Sequence, residues 1–280
     1  MKKTMGPPPT GKDDFLAPSW RAAFAARGLA DFERLWRLDL PPLDAANTER
    51  GGVSTVSILV PGTHTREASR LVVKRQRNHQ SHTWRHPLRG IPTTQKEFIN
   101  IRRFARCGLA PVAPVFFAKR RDDRGIRAIL ITEFLEGYRS FDTLLEQWAT
   151  GSSGSSGSKD AILRQAADLV SRLHRAGFRH NCLYPKHLFV DIHRPSPDVR
   201  LIDLEKAGRA VFAHRRMTRD LGAFFRRSAF WSSSDQRRFL VYYHGAAYMT
   251  PRVERAWRRI RRAMARKRGP GAAPRSAAES

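Results

Sequence analysis

Between His180 and Asp203 the sequence concentrates polar side chains at a spacing typical of phosphate chemistry. A polar turn from His180 to His187 is followed by a short apolar run, a Pro-rich turn and a second apolar run that ends at Asp203. A carboxylate at the end of a β-strand, about twenty residues after a polar loop, is what a metal–phosphate site requires. It can hold Mg²⁺ against a nucleotide while the loop faces the phosphate acceptor.

The same stretch is similar to the catalytic loop of protein kinases, H-R-D-L-x-x-x-N followed by D-F-G. The segment HNCLYPKH keeps the first His (His180), the Leu and the length, and DLE from Asp203 takes the place of D-F-G. Two positions differ. Cys182 stands where the catalytic Asp is expected, and His187 stands where the metal-binding Asn is expected.

The phrases LYPKH and IDLEKA resemble the lipopolysaccharide kinase family (Kdo/WaaP type), and in particular its InaA-like branch. The resemblance spans residues 45–250. It implies an α+β, bilobal protein-kinase-like fold, with an antiparallel sheet plus one main helix in the N-lobe and a mostly helical C-lobe. It also implies ATP and Mg²⁺ as cofactors, and a sugar hydroxyl of the lipopolysaccharide core (Kdo or heptose) as acceptor.

Four residues of this stretch are candidates for the reaction itself. Cys182 occupies the base position, but a thiol with an ordinary pKa of about 8.5 is a poor base at neutral pH. His180, His187 or Asp203 could take the acceptor proton instead, and Asp203 with His187 would hold the metal. Because Cys182 replaces the Asp, a pseudokinase that uses the fold for nucleotide binding in a stress response is the alternative function.

Composition bounds these interpretations. A chain of 280 residues with 41% hydrophobic content can bury a sizeable core. No apolar run is long enough for a membrane span, and the basic start lacks an apolar stretch, which predicts a cytoplasmic protein, peripheral at the inner membrane if its acceptor lies there. Cys107 and Cys182 are too few for a disulfide framework and lack metal-ligand spacing, so we expect two thiols.

The net charge is the strongest compositional signal. The 52 Lys and Arg against 25 Asp and Glu leave a formal charge of +27, which attracts polyanions. Nucleic acid, anionic lipid headgroups and a phosphorylated glycolipid are all compatible with it. A nucleic-acid-binding protein is therefore a second alternative function, although no reader motif is present, and an Arg-rich solvated surface is the alternative without function.

Lys74 is the candidate phosphate-binding residue. It ends the second of two predicted strands, residues 53–60 and 71–74, and so matches the V-A-I-K position of kinases. Gly51 and Gly52 precede the first strand and could form a hairpin that covers a nucleotide phosphate. A solvated lysine and an ordinary turn are the competing interpretations.

Glu97 is the candidate partner of that lysine. It lies in the first turns of a helix predicted over residues 93–104 with a capping-type start, as the αC Glu of kinases does. A favourable charge at a helix N-terminus is the simpler explanation, and both can hold. The basic stretch between the two, residues 75–90, is predicted to be a long loop that binds the acceptor or acts as a lid.

Three further residues receive roles from the kinase resemblance. The backbone from Glu133 to Leu135, after two strands predicted over residues 110–117 and 127–135, would bind the adenine edge at the hinge. Asp220 is expected at the start of a large-lobe helix, where its carboxylate would accept hydrogen bonds from the catalytic loop around His180. A plain helix N-cap is the competing explanation for Asp220.

These elements give a domain organisation. An apolar pattern at helical spacing in residues 20–36 predicts a helical extension that packs on the small lobe or contacts a partner. A basic amphipathic helix at residues 251–268 could lie on an anionic membrane or pack on the large lobe. The predicted segments are an N-terminal extension (1–44), an N-lobe (45–136), a C-lobe (137–268) with a flexible Gly/Ser loop (151–158), and a disordered tail (269–280).

Overall fold

The computed structural model describes residues 14–43, 45, 47–48, 51–61, 70–83, 86–152, 156–210 and 212–266. The tail predicted over 269–280 and residues 153–155 of the predicted Gly/Ser loop therefore lie outside the described residues. Residues 156–158 of that loop begin a helix, so the predicted loop bounds were too long. The chain divides into two compact units. One contains the described residues up to Gly137 together with Leu201–Lys206, and the other contains Tyr138–Arg200 and the described residues from Ala207 onward.

The first unit is built on an antiparallel sheet. Its strands are β1 (Phe15–Leu16), β2 (Val53–Leu59), β3 (Leu71–Arg77), β4 (Gln80–Thr83), β5 (His86–Pro92), β6 (Pro114–Asp122) and β7 (Gly125–Glu133). The main sheet, as far as the structure describes it, has the order β1-β6-β7-β3-β2. Leu71 and Val73 of β3 point into the core while Lys74 faces the other side, because side chains alternate along a strand.

The N-terminal extension is part of the core of this unit. It forms two short helices, α1 (Arg21–Ala26) and α2 (Phe32–Arg37), rather than one, and Asp31 caps the second by accepting a hydrogen bond from the Arg34 N–H at 2.7 Å. Phe24 and Leu35 are fully buried in a cluster with residues of the sheet. Packing, not partner contact, accounts for this apolar pattern.

The prediction of a long basic loop over residues 75–90 is wrong. The first residues continue β3, and the rest form the hairpin β4–β5, in which Gln80 pairs with Pro92 and Ser81 with Ile91. Helix α3 (Thr93–Arg106) follows directly, close to its predicted bounds. The charged side chains of this stretch suggested a loop. Strands pair through their backbone N–H and C=O groups, so charged side chains do not prevent a hairpin.

The second unit is mostly helical. Its helices are α4 (Phe141–Ala149), α5 (Ser156–Arg175), α6 (Ala213–Arg226), α7 (Ser233–Tyr243) and α8 (Pro251–Arg266), and its short strands are β8 (Tyr138–Ser140), β9 (Phe178–Arg179), β10 (Leu188–Asp191), β11 (Asp198–Leu201) and β12 (Gly208–Arg209). A cluster of aromatic rings fills the space between α4, α6 and α7. The predicted α+β class, with sheet in one part and helices in the other, matches this architecture.

Helix α8 packs with its apolar face inward. Val253, Trp257 and Ile260 are buried, so this face has no surface to insert into a bilayer. Packing on the second unit therefore explains the amphipathic pattern that the sequence also allowed for a membrane helix. Among the described residues, no helix is both long and apolar enough to span a membrane.

Candidate functional site

Lys74 and Glu97 form a close ion pair in the first unit. The Lys74 Nζ lies 2.9 and 2.8 Å from the two carboxylate oxygens of Glu97. The Glu97 side chain is 3% exposed and that of Lys74 is 24% exposed. The pair joins β3 to α3, since the strand presents the ammonium and the second turn of the helix presents the carboxylate.

Asp203 lies in the same unit, on the short segment Leu201–Lys206. Two elements hold this segment: Leu201 forms a parallel bridge with Pro111, and the Asn100 side chain of α3 donates a 2.8 Å hydrogen bond to the Leu204 carbonyl. Asp203 itself has φ +57°, a left-handed conformation that is uncommon for residues other than glycine. Strained backbone of this kind concentrates at functional sites, where surrounding contacts enforce it.

Several carboxylates act on the Lys74 ammonium. Burial would lower the pKa of Lys74, but the carboxylates of Glu97 and Asp203, with Glu205, outweigh it and raise that pKa. Burial raises the pKa of Glu97, and the charges of Asp203 and Glu205 raise it further while Lys74 opposes them. The carboxylates around Lys74 therefore keep its ammonium protonated, and Glu205 also lies 3.9 Å from the Lys206 ammonium.

Gln76 fixes the start of α3 against the same strand. The N-cap residue, Pro92, makes no side-chain cap. Instead the Gln76 Oε1 accepts a hydrogen bond from the Thr94 N–H at 2.9 Å, and its Nε2 donates to the Thr93 hydroxyl at 2.6 Å. Because Gln76 and Lys74 are two residues apart, both reach α3 from one face of β3. Strand and helix are thus clamped at two points.

Gly51 and Gly52 lie where the chain folds back onto β2. Pro42 bridges to Ser57 and Asn47 to Ser54, so the glycines belong to a hairpin connection, as expected. A Cβ on Gly52 would come within 2.4 Å of the Asn78 backbone, which is a packing reason for that glycine. Gly51 has φ +70° and open space around it. A phosphate contact by either residue stays a prediction.

The predicted hinge donors are partly engaged. The Glu133 N–H donates to the Ala113 carbonyl at 3.0 Å, and the Phe134 N–H donates to the Arg70 carbonyl at 3.0 Å. In the described part of the chain, the Leu135 N–H has no such partner. Adenine recognition at this segment stays a prediction, and the Leu135 N–H is the backbone donor that could make it.

In the second unit, Asp220 holds the polar turn. Its carboxylate accepts hydrogen bonds from the backbone N–H of His180 at 2.7 Å and of Asn181 at 3.0 Å, and lies 3.2 Å from the His174 Nε2. Asp220 lies in the middle of α6, so both the prediction that it begins a helix and the N-cap alternative are wrong. Burial would raise the pKa of Asp220, but His174 and His180 outweigh it and lower that pKa.

Cys182 and the two histidines of the turn are buried. Cys182 is 5% exposed, and its carbonyl accepts a 2.8 Å hydrogen bond from the His187 Nδ1. Because a carbonyl can only accept, Nδ1 carries the proton, and in the neutral imidazole Nε2 holds the lone pair. His180 has no exposed surface. Its side chain is therefore closed to solvent, and its predicted contact with the acceptor proton stays a prediction.

Comparison with known proteins matches these features to one family. The sequence profile of the lipopolysaccharide kinase (Kdo/WaaP) family matches residues 33–243. The chain belongs to this family. Protein InaA of Escherichia coli (strain K12) is 27% identical over 190 residues, covering 68% of this chain and 84% of InaA. The solved structure of WaaP in complex with acyl carrier protein has a TM-score of 0.64 at 21% identity, covering 91% of this chain and 97% of the solved chain.

The family and the protein-kinase-like fold predicted from the sequence are thereby confirmed. Membership in the lipopolysaccharide kinase family supports a phosphotransferase that acts on a sugar. It also implies ATP and a divalent cation. Among the described residues no group of three or more His, Cys, Asp or Glu forms a metal cage. Mg²⁺ does not need one, since it is usually bound by one or two carboxylates together with substrate phosphates.

The charge cluster fits such a cation. Asp203 and Glu205 carry carboxylate oxygens of the kind that Mg²⁺ prefers, and their charges act on the Lys74–Glu97 pair. Sequence reasoning missed Glu205, although its place two residues after Asp203 was visible in the motif. It also missed Gln76, which has no distinguishing motif and is recognised only when strand and helix are seen together.

We expect Gln76→Leu to destabilise the first unit by about 1–3 kcal/mol, because the buried Thr94 N–H loses its acceptor. Ser54→Ala, which removes only the 3.2 Å contact from Gln76, is the matched control and should cost under about 1 kcal/mol. Urea unfolding measures both. Equal midpoints for the two variants would contradict the capping role of Gln76.

Asp220→Asn should destabilise the protein at pH 7 by about 2–3 kcal/mol, because an amide NH₂ would face backbone N–H donors. The folded-state pKa of Asp220 lies below 3.8, so its contribution is present above pH 3.8 and is lost as pH falls through the folded-state pKa. The difference between wild type and variant should therefore shrink in acid. A surface control, Asp168→Asn, should change stability by under about 1 kcal/mol. A pH-independent Asp220→Asn effect in urea titrations would disprove the linkage.

Proposed function

We propose that this protein is an ATP-dependent kinase that phosphorylates a sugar hydroxyl, of Kdo or heptose, in the lipopolysaccharide core. The observation that carries the proposal is the cluster in the first unit: the Lys74–Glu97 ion pair with Asp203 close enough to raise the pKa of both partners. An ammonium on a strand, a carboxylate on a helix and a carboxylate at a strand end are the parts that phosphoryl transfer from ATP uses.

Each residue of the cluster has a distinct task. Lys74, kept protonated by its carboxylate neighbours, would bind the α- and β-phosphates, and Glu97 fixes its position. Asp203 would hold Mg²⁺, with Glu205 as a further oxygen donor. Bound Mg-ATP would supply the phosphoryl group and the cation that stabilises developing charge on it. The Gly51–Gly52 connection would cover the phosphates and the Leu135 backbone would bind adenine.

The polar turn of the second unit would orient the acceptor. Phosphoryl transfer passes through a loose transition state, so positioning and charge neutralisation supply most of the acceleration and a general base supplies less. Asp220 fixes the backbone of this turn, and the lone pair on the His187 Nε2 can accept a proton or ligate a metal. A chain with Cys182 at the base position can therefore retain activity.

A pseudokinase remains the second candidate, and the burial of the Cys182 thiol is the observation that favours it. It would bind nucleotide through Lys74 and Asp203 without phosphoryl transfer.

We place the kinase reaction in the cytoplasm, at the face of the inner membrane where a core glycolipid presents its sugars. Nucleic-acid binding, the other alternative function, is supported by the net charge of the chain alone.

The test is phosphate transfer from labelled ATP to purified lipopolysaccharide core in Mg²⁺. We expect Lys74→Met and Asp203→Asn each to lower the rate by about 100-fold or more, because each removes charge that is needed only around the phosphates. Lys119→Met, a lysine change on β6 outside the cluster, should leave the rate within about twofold of wild type. Transfer that survives in Asp203→Asn would refute the assignment.

Two variants of Cys182 separate the kinase from the pseudokinase. Cys182→Asp restores a carboxylate at the base position and should keep or increase the rate, whereas Cys182→Ser should change it by less than about tenfold. Absence of transfer in wild type and Cys182→Asp, with nucleotide binding intact, would establish the pseudokinase.

A further inference from the structure

Helix α8 carries a stripe of exposed arginines opposite its buried face. They follow a spacing of three and four residues, which places them on one side of the helix over roughly 21 Å. This arginine stripe consists of Arg252, Arg255, Arg259, Arg262 and Arg266, all exposed. Within the residues that the structure describes, none of the five forms an ion pair with a carboxylate.

Such a stripe is costly without a counterion. Like charges three or four residues apart on a helix repel each other. The one acidic residue of α8, Glu254, lies off the stripe and pairs with Arg258 and Arg237 instead. The stripe therefore keeps an uncompensated positive field along one side of the helix, which an anionic ligand would neutralise.

The stripe lines a groove made of neighbouring cavities in the second unit. A cavity of about 730 Å³ lies over Arg252 and Arg255, and one of about 480 Å³ over Arg259 to Arg266; Arg255 and Arg259 line both. A third, of about 240 Å³, shares Thr218 with the second and reaches Asn181 and Tyr184 of the polar turn. The groove thus runs from the candidate acceptor-orienting turn along α8.

Buried polar atoms in this groove also lack partners. In the described residues, the Thr218 hydroxyl and the His244 Nε2 are buried without a hydrogen bond, and both residues line the groove. Burial, and to a smaller extent the charge of Arg252, lower the pKa of His244. The carboxylate of Asp168, which lines the cavity of about 730 Å³, is engaged by Arg172 and Arg175.

We propose that this arginine groove binds an acceptor saccharide that carries several phosphate groups, with the phosphates on the arginine stripe and the reacting sugar near Tyr184. Arginine recognises phosphate through paired N–H donors, and the stripe presents exposed guanidinium groups along the groove. The proposal rests on the proposed kinase function and names the substrate class of that reaction.

The shape of the groove favours a discrete ligand over a flat anionic surface. Concave cavities of a few hundred Å³ are the size of small-molecule sites, whereas a membrane needs a protruding or planar basic face. The apolar residues of α8 that would enter a bilayer are buried in the protein. A membrane surface is therefore the competing ligand in the test.

The test compares two double variants that lose the same charge. Arg255→Gln/Arg259→Gln removes the arginines shared by two cavities, and Arg106→Gln/Arg121→Gln removes two exposed arginines of the first unit. The probes are deacylated lipopolysaccharide core oligosaccharide, the same oligosaccharide after chemical dephosphorylation, and phosphatidylglycerol vesicles. Calorimetry gives each Kd, and binding of a non-hydrolysable ATP analogue with Mg²⁺ is measured on the same samples.

We expect the groove variant to bind the phosphorylated oligosaccharide about tenfold or more weakly, with the control variant within about twofold of wild type. Dephosphorylation should weaken wild-type binding to a similar extent, and nucleotide binding should be unchanged in both variants. Equal losses in the two variants, or a groove variant that loses only vesicle binding, would overturn the proposal. Loss of the proposed kinase function would show separately, as absent nucleotide binding in wild type.

Discussion

The ion pair between Lys74 and Glu97 is the constraint on which the first unit depends. Two charges withdrawn from water cost several kcal/mol each, and their attraction repays this only with close geometry and further hydrogen bonds. The contacts at 2.8 and 2.9 Å and the Gln76 clamp at the start of α3 meet that requirement. The pair is therefore pre-positioned by its surroundings.

The acidic residues near this ion pair indicate a role beyond joining β3 to α3. The carboxylates of Asp203 and Glu205 raise the pKa of Lys74 together with Glu97, and Asp203 has a left-handed backbone conformation. Charged groups withdrawn from water need compensating partners. A divalent cation with a phosphate ligand would satisfy both the carboxylates and the ammonium, which links the electrostatics to family membership.

Much of this arrangement could be predicted from local sequence. Lys74 lies within β3, Glu97 in the second turn of α3 and Asp203 two residues after β11, and the structure places all three in one unit. The bounds of α3 could also be predicted from the sequence, since its apolar stripe is regular. Gln76 was not, because its role comes from a strand and a helix that meet only in three dimensions.

Other expectations failed for identifiable reasons. The basic stretch after Lys74 forms a hairpin because backbone pairing outweighs side-chain polarity. Asp220 lies inside α6 because that helix already begins at Ala213, in a stretch that has no side-chain cap and no acidic residue in its first turn to mark the start. The arginine stripe was visible as net charge, but only the packing of α8 shows which arginines line the cavities.

The most direct test of the charge cluster is thermal unfolding with a non-hydrolysable ATP analogue, with and without Mg²⁺, for wild type and Asp203→Asn. A ligand that binds only the folded state raises Tm. We expect a Tm increase in wild type that requires Mg²⁺ and is absent in Asp203→Asn. An equal, Mg²⁺-dependent increase in both proteins would contradict the role of Asp203 in holding the cation and, with it, the assignment of the cluster as a metal–phosphate site.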